Sequence, residues 1–500
     1  MTTAALEPGP FERAPYARGP VWAAVVVQAV VLTVTSPRYG YERDELYFRV
    51  LRPGWGYLDQ PPLTPLLVRA SRYLLADEVW AVRVWATLAA AVSVLVIAAI
   101  TREVGGGRGA QTLSAWAYAF AAFPLALGHV LLTTSIDEPV WLLVLLFIVR
   151  ACLRHEDRWW LWAGVTVGLG LYNKLLIVIL LAALAVAILA VGPRRLLVSR
   201  AVLAAIGLAV LVGLPNVVYQ AANGWPQLEF GRQLSAHNAS DVRVSMWPTL
   251  VLLLGPPLVA IWISGVVALW RRRQWRPIRF LAPALAVLLA LVFVLGSQAY
   301  YPLPLIAMFF AVGCVPTWDW IRRRVRTRRP LVVAVVVLNA AVSAVLALPL
   351  VPIRSLHDTP VPGINQAVAD SVGWPTYVRQ VDAVYRALPE PDRARATVVA
   401  SNYGEAGAVD RYGPALGLPR VYSAQNQLYF QGRPPASATI AVFVGGEVDD
   451  AAKLFASCTT TAHLDNGLHV DNEEQGEPVA VCRGPIGGWS AVWPRLKHED

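Results

Sequence analysis

Four carboxylates and several aromatic side chains are concentrated in one stretch, YERDELYFRVLRPGWGYLDQPPLTP, at residues 41–65. The acids are Glu42, Asp44, Glu45 and Asp59. A carboxylate held near a nucleophile can take its proton, so this stretch could supply a general base. A solvated acidic loop with interfacial aromatic residues would explain the same composition, and the stretch alone does not decide between the two.

A second acidic pair and a lone lysine occur further along the chain. Asp137 and Glu138 lie at the end of an apolar run, where carboxylates are costly and usually functional, although Asp-Glu-Pro also begins ordinary helices. Lys174 is the only lysine in the first 452 residues and lies between two apolar runs. A lone cation there favours an anion such as phosphate as its ligand, and a snorkelling turn residue is the alternative.

Two later segments add further candidate residues for this site. They contain His237 and Arg243, then Tyr300 and Tyr301 beside Ser297. Acids combined with cations and hydroxyl donors are suited to holding an anionic leaving group next to a general base.

The apolar composition shows which elements must position these residues. The chain of 500 residues is 56% hydrophobic and only 15% charged, which excludes a soluble enzyme of three domains. Stretches long enough to cross a hydrocarbon core of about 30 Å predict about eleven transmembrane helices. They begin near Val21, Val79, Gln111, Pro139, Trp160, Leu175, Ala201, Trp247, Phe280, Leu303 and Pro330.

The loops between these stretches alternate in chemistry. One set carries 19 Arg and no Lys and is predicted to face the cytoplasm, as is the amino terminus. It comprises residues 102–108, 150–158, 192–200, 271–279 and 322–329. All the candidate residues fall in the other set, so they share the exterior face. Since the net charge of +10 comes from these Arg-rich loops, nucleic acid is excluded as a partner.

The first exterior loop ends in LTPLLVRASRYLL at residues 63–75. Its pattern predicts an amphipathic helix in the membrane interface, apolar on one side with Arg69 and Arg72 on the other.

Residues 352–500 carry 12 Arg and Lys against 17 Asp and Glu and are predicted to form a small exterior α/β domain. Strand, turn and helix are expected over 397–413, with Gly404 and Gly407 as turn residues. Short strands are expected in 419–426, 439–446 and 478–484, and a helix over 449–457. Cys458 and Cys482 both lie in this domain, which leaves a disulfide and a pair of buried thiols as alternatives.

The quoted segments resemble a known family. YERDELYF, GYLDQPPLTPLL, SIDEPVWLL, GLGLYNKLL and AYYPLPL are similar to segments of the dolichyl-phosphate-mannose protein mannosyltransferase superfamily, glycosyltransferase family 39, whose bacterial members include lipid A aminoarabinose transferases. The resemblance implies a GT-C fold. It also implies a cytoplasmic tail at 1–20, a catalytic membrane domain at 21–351, and an exterior domain at 352–500 that covers the cleft or binds the acceptor through Asn402 and Glu405.

The same resemblance implies an activity. A sugar would pass from a polyprenyl-phosphate donor to an envelope glycan, lipid or protein, with inversion, at the outer face of a bacterial plasma membrane. Asp44 matches the family's first-loop acid and would be the general base. Cations and hydroxyl donors would receive the lipid phosphate, and the other acids would bind the sugar or acceptor, orient the cations or hold a divalent metal. Those residues are Glu45, Asp59, Asp137, Glu138, Lys174, Arg243, Tyr300 and Tyr301.

Gln60 marks a departure, because the aminoarabinose transferases carry a basic residue just before the double proline. Gln60 is a predicted substrate-site residue, and the missing positive charge at this position therefore argues against an aminoarabinose donor. The sequence assigns no cofactor with certainty. A divalent metal held by Asp59 and His237 is an open alternative, but one histidine among scattered acids does not form a recognisable metal-ligand pattern. A lipid or sugar transporter is the alternative function, but the acids crowd at one surface and the chain shows no second, related half. A sensor would explain the exterior domain but not Asp44, Asp137 and Lys174.

Overall fold

The computed structural model describes residues 13–499, without the side chains of residues 237 and 238. Helices dominate as far as residue 347. They are α1 Arg18–Thr35, α2 Arg43–Val50, α3 Leu63–Leu74, α4 Val79–Glu103, α5 Arg108–Ala119, α6 Ala122–His129, α7 Thr133–Arg154, α8 Arg158–Gly170, α9 Ile177–Val191, α10 Arg200–Ala222, α11 Pro226–Leu252, α12 Val259–Arg271, α13 Leu281–Leu295, α14 Leu303–Arg323 and α15 Val325–Ala347.

The protein is a multi-pass membrane protein. Six helical segments of the described chain are long and apolar enough to cross a membrane, and a bent pair made of Ala239–Leu252 and Pro256–Arg271 makes up to seven. Helix α9 is apolar but only 15 residues long. The predicted total of about eleven spans is therefore not confirmed, since several of the expected stretches form shorter or broken helices.

One end of the bundle gathers arginines around a buried acid. The carboxylate of Glu103, at the end of α4, pairs with Arg13, Arg150 and Arg154 from the predicted cytoplasmic segments. Nearby, Arg272 pairs with Asp319 at 2.9 Å. Arginines from three separate segments of the chain thus meet at one end of the bundle.

The first exterior loop folds into two helices. Helix α2 begins at a capping box, in which Glu42 accepts from the backbone N–H of Asp44 and Glu45 accepts from that of Glu42. Helix α3 confirms a helix in the predicted amphipathic segment: it buries Thr64, Val68 and Ser71 and leaves Tyr73 and Leu74 exposed. Its place in the membrane interface stays a prediction.

The predicted exterior domain contains a five-stranded sheet in the order β2-β1-β3-β5-β4, with helices around it. Its strands are β1 Ala396–Ala400, β2 Val421–Ser423, β3 Ile440–Val444, β4 Phe455–His463 and β5 Pro478–Pro485. Its helices are α16 Val361–Ile364, α17 Gln366–Ala369, α18 Trp374–Ala387, α19 Glu390–Arg393, α20 Tyr403–Tyr412, α21 Asn426–Phe430, α22 Val448–Ala452 and α23 Trp489–Leu496. The first three strands are parallel, and β5 pairs antiparallel with β3 and β4. This confirms the predicted α/β class.

Two local predictions in this domain are wrong. Helix α22 stops at Ala452, and residues 455–463 form the edge strand β4, whose Thr-rich sequence pairs with β5. Gly404 and Gly407 are not turn residues but lie inside α20, because this helix packs closely on α2. Cys458 and Cys482, which face each other across β4 and β5, form a disulfide.

Candidate active site

The start of α2 brings Asp44 to the junction of the membrane helices and the exterior domain. Because Asp44 follows the capping residue Glu42, its backbone position is fixed by the capping box. The half-buried carboxylate of Asp44 accepts a hydrogen bond at Oδ1 from the hydroxyl of Tyr403, with 2.9 Å between the oxygens. Tyr403 is the first residue of α20.

Opposing influences act on the charge of Asp44. Burial raises the pKa of this carboxyl group above its ordinary value, while the guanidinium of Arg43, the hydrogen bond from Tyr403 and the ammonium of Lys174 lower it. The neighbouring carboxylate of Glu45 raises it further. Asp44 and Lys174 are therefore close enough to interact electrostatically.

The lone lysine lies in a tightly held turn between α8 and α9. Next to it, the buried side chain of Asn173 accepts from the hydroxyl of Thr64, at 2.7 Å, and donates to the carbonyl of Thr133, at 2.8 Å. The Nζ of Lys174 lies 3.4 Å from Oγ1 of Thr134 and 4.7 Å from the centre of the Tyr301 ring. The turn is thus fastened to the starts of α3 and α7.

The second acidic pair faces two different environments. Asp137 is buried, interacts with the charge of Lys174 and keeps Oδ1 without a hydrogen-bond partner among the described residues. The carboxylate of Glu138 instead accepts a hydrogen bond from the hydroxyl of Tyr118, at 2.8 Å. Of the two acids, Asp137 is the one that the structure brings to the lysine.

Asp59 and Gln60 lie on the same side as Asp44. Burial raises the pKa of Asp59 to about 7, with smaller influences from the hydroxyl of Tyr47, which lowers it, and the charge of Asp44, which raises it. The amide nitrogen Nε2 of Gln60 is buried and has no hydrogen-bond partner among the described residues. Gln60 therefore presents an unused hydrogen-bond donor just before the double proline.

Glu45 is placed differently from its neighbour Asp44. Its fully buried carboxylate pairs with Arg83 of α4, at 2.9 and 3.0 Å, and accepts from the backbone N–H groups of Glu42 and Leu131. These contacts use both of its oxygens. The structure therefore gives Glu45 a role in joining α2 to α4.

The third exterior segment contributes little to this group. Arg243 is exposed on α11 and donates to the carbonyl of Phe293 at the end of α13, at 3.1 Å. The side chain of His237 lies outside the described residues, so its pairing with Asp59 stays a prediction. Over residues 13–499, apart from the side chains of residues 237 and 238, no three His, Cys, Asp or Glu side chains are grouped to hold a metal ion.

The two tyrosines of the fourth exterior segment line the site. The rings of Tyr300 and Tyr301 meet edge to face at 5.2 Å, and Tyr300 also packs against Phe123. A cavity of about 430 Å³ extends from Tyr300 between α6, α11 and α15. Its lining is mainly apolar, with Asn339, Ser343 and Gln298 among the polar groups.

Three residues of this site escaped the sequence analysis. Tyr403 is 359 residues from Asp44 in the chain, so no local spacing links the two. Arg83 and Asn173 fall within or beside apolar runs. A buried charge or amide in such a run is a signal for a structural or functional polar contact, and Arg83 could have been found in this way.

Comparison with known proteins gives a fold and a family match to part of the chain. Residues 59–219 match the dolichyl-phosphate-mannose-protein mannosyltransferase family. The structure is similar to that of ArnT from Cupriavidus metallidurans bound to undecaprenyl phosphate, with a TM-score of 0.60 and 15% sequence identity over 92% of this chain and 98% of ArnT. The apo state of the same ArnT gives a TM-score of 0.56 at 15% identity, over 93% of this chain and 98% of ArnT.

A third similar structure is larger. The arabinofuranosyltransferase AftD from Mycobacteria gives a TM-score of 0.50 at 13% identity, over 95% of this chain and 40% of AftD. None of the curated protein sequences matches this chain. The described chain thus has the GT-C fold, and the expected resemblance to the mannosyltransferase superfamily is confirmed.

Proposed function

We propose that this chain, a GT-C membrane protein related to the dolichyl-phosphate-mannose-protein mannosyltransferases, transfers a sugar from a polyprenyl phosphate to an acceptor of the cell envelope. The family match covers residues 59–219, and one similar structure, that of ArnT, holds undecaprenyl phosphate. A lipid phosphate is accordingly the leaving group that this site must receive.

The proposal rests on the placement of Asp44 and Lys174 in one site. A general base and a cation are needed at the two ends of a displacement at an anomeric carbon, one at the nucleophile and one at the leaving group. Here the charge of Lys174 acts on both Asp44 and Asp137, and its ammonium lies against Tyr301. This proximity supports Asp44 as the general base at the nucleophile and Lys174 as the cation at the leaving group.

The proposed step is a single displacement that inverts the anomeric centre. An acceptor hydroxyl or amine attacks the anomeric carbon and gives its proton to the carboxylate of Asp44. The bond between that carbon and the phosphate oxygen breaks, and its electron pair leaves with the polyprenyl phosphate. Lys174, with hydroxyl donors such as Tyr300 or Tyr301, stabilises the charge that grows on the phosphate. No step passes through a metal ion.

We place the site at the outer face of a bacterial plasma membrane. The arginines of the predicted cytoplasmic segments meet around Glu103 at one end of the bundle, while Asp44 lies where the exterior domain packs on α2. The positive-inside rule then assigns the arginine end to the cytoplasm. Polyprenyl-linked sugars suit this location because nucleotide sugars are not available there.

The buried amide of Gln60 bears on the choice of sugar. It offers a neutral donor in place of the basic residue that the related aminoarabinose transferases carry before the double proline. A neutral donor gains less from a charged phosphate than a cation does. We therefore propose a pentose or hexose donor other than aminoarabinose.

The test is complementation of a strain that lacks the protein. Mass spectrometry of its lipid-linked sugars should show an accumulated polyprenyl-phosphate sugar, which the wild-type chain clears. Asp44→Asn should fold and insert but slow clearance by about 100-fold or more, the range of general base catalysis. Asp449→Asn, at an exposed acid of the exterior domain, is the matched control and should behave as wild type. Clearance by Asp44→Asn at the wild-type rate would refute the base assignment.

A further inference from the structure

The exterior domain reaches into the site through one side chain. The hydroxyl of Tyr403 donates to Oδ1 of Asp44 at 2.9 Å and so occupies one of the two carboxylate oxygens. We propose that Tyr403 is a positioning residue that fixes the carboxylate of Asp44 for proton abstraction, so that the exterior domain completes the active site. This inference rests on the proposed function, in which Asp44 is the general base.

The ring of Tyr403 is itself held from two sides. Its centre lies 4.6 Å from that of the Tyr47 ring, with 33° between the two ring planes, and the guanidinium of Arg43 lies 4.7 Å from its centre. Both partners belong to α2, the helix that carries Asp44. Since the ring cannot turn without leaving these contacts, its hydroxyl is directed at the carboxylate.

The backbone of Tyr403 is fixed as well. The preceding residue, Asn402, caps α20 in a capping box with Glu405, whose carboxylate accepts the backbone N–H of Asn402. The N–H of Tyr403 donates to Oε1 of Gln425 at 2.6 Å. The helix therefore starts at one defined point, and that point faces Asp44.

Two glycines allow the helices to come this close. A Cβ atom on Gly407 would lie 2.6 Å from the carbonyl oxygen of Leu46, and one on Gly404 would lie 2.9 Å from the ring of Trp374. Any larger side chain at Gly407 would push α20 away from the backbone of α2. The distance from Tyr403 to Asp44 thus depends on the two glycines of the sequence YGEAG, residues 403–407, because they allow α20 to pack closely on α2.

The hydrogen bond predicts a specific effect of pH. A donor to the charged form of a carboxyl group stabilises that form, so Tyr403 lowers the pKa of Asp44 against the larger effect of burial. Without the hydroxyl, that pKa rises, and a higher pH is needed to ionise the base. The other titratable groups that act on Asp44 or feel its charge are Glu42, Arg43, Glu45, Asp59, Lys174, Tyr300 and Asp370.

The experiment compares pH–rate profiles of Tyr403→Phe and the wild type. Membranes of a strain that lacks the protein supply donor and acceptor, and the full-length purified protein is added in phospholipid nanodiscs. The rate of formation of polyprenyl phosphate is measured by mass spectrometry between pH 5 and about 9, a range above the ordinary carboxyl pKa in which a carboxyl group with a raised pKa ionises. Tyr412→Phe is the matched control, because it makes the same change on the same helix beside Arg411, Glu78 and Asp77.

The positioning role predicts a lower rate for Tyr403→Phe at every pH, because the carboxylate is no longer held, and a further loss of about tenfold on the acidic side, the effect of losing a hydrogen bond to a charged group. The two profiles should come closer at alkaline pH without meeting, whereas Tyr412→Phe should follow the wild type throughout. A Tyr403→Phe profile that coincides with the wild type, or one lowered equally at every pH, overturns the positioning role while leaving Asp44 as the base. A wild type that forms no polyprenyl phosphate, while Asp44→Asn behaves identically, overturns the proposed function and this inference with it.

Discussion

The ammonium of Lys174 lies 4.7 Å from the centre of the Tyr301 ring, with its nitrogen 3.4 Å from the hydroxyl of Thr134. A lysine held over an aromatic face loses side-chain freedom before a ligand arrives. Neither contact neutralises the ammonium. Its charge is therefore available to a phosphate that enters the space beside Asp44.

Replacement of this lysine should weaken the binding of a lipid phosphate. For Lys174→Ala, we expect the affinity for undecaprenyl phosphate to fall by about 10- to 100-fold, as for the loss of a charge-assisted hydrogen bond. The measurement is a titration of the purified protein with undecaprenyl phosphate, followed by native mass spectrometry. Lys453→Ala, at an exposed lysine of the exterior domain, should leave the affinity unchanged. Equal affinities for Lys174→Ala and the wild type would remove the lysine from the phosphate site.

The adjacent acids Asp44 and Glu45 should respond in opposite ways to loss of charge. Glu45→Gln leaves the buried guanidinium of Arg83 without its partner, and removal of one member of a buried ion pair costs about 3–5 kcal/mol. We expect Glu45→Gln to reduce the yield of monodisperse protein in size-exclusion chromatography, while Asp44→Asn elutes as the wild type does. Glu229→Gln breaks an exposed pair with Arg232 and should have no effect. If Glu45→Gln gave a normal yield but lost transfer activity, Glu45 would instead be assigned to the substrate site.

Asp44 and Glu45 also show which features of the site could be predicted from the sequence and which could not. Hydropathy and loop charge predicted the membrane class, and alternating strand and helix patterns predicted the α/β domain. These patterns could not separate Asp44, the proposed base, from Glu45, because both lie in the first turn of the same helix and only the fold brings Arg83 and Leu131 to one of them. The pattern of residues around Lys174 predicted an anion site, since a single cation among apolar residues is a strong local signal.

What the sequence could not supply are contacts between distant segments. Tyr403 meets Asp44 only because α20 packs on α2, and the glycines that allow this read as turn residues in isolation. The strand β4 was missed for a related reason. Its exposed Thr-rich pattern is stabilised by pairing with β5 and by the disulfide between Cys458 and Cys482, neither of which local propensity reveals.

A side chain at Gly407 should separate the two helices. In Gly407→Ala, the added Cβ would lie 2.6 Å from the carbonyl oxygen of Leu46, so a backbone must shift. Overpacking of this kind costs about 1–3 kcal/mol, and we expect a lower thermal midpoint and slower transfer. Gly363→Ala places a Cβ in open space in the same domain and is the control for the substitution itself. Unchanged stability and transfer in Gly407→Ala would show that α20 need not contact α2 closely.

The buried carboxyl group of Asp370 should make the stability of the protein depend on pH. Burial raises the pKa of Asp370 to about 7, with Arg43 lowering it and Glu474 and Asp44 raising it. In the unfolded chain the same group ionises near its ordinary value of 3.8. Between these two values the folded state holds the proton and the unfolded state does not. The contribution of Asp370 to stability is therefore greatest below pH 4, falls as the pH rises towards about 7, and then levels off.

Asp370→Asn removes this dependence because its amide does not ionise. We expect the thermal midpoint of Asp370→Asn to exceed that of the wild type by about 3 °C or more at pH 8, and by less at pH 5, in scans of the purified protein. Asp449→Asn alters an exposed acid and should show the same difference from wild type at both pH values. A constant difference for Asp370→Asn across the range would mean that the carboxyl group is already ionised at pH 5. Arg43, whose charge favours that ionised form, would then outweigh the effect of burial.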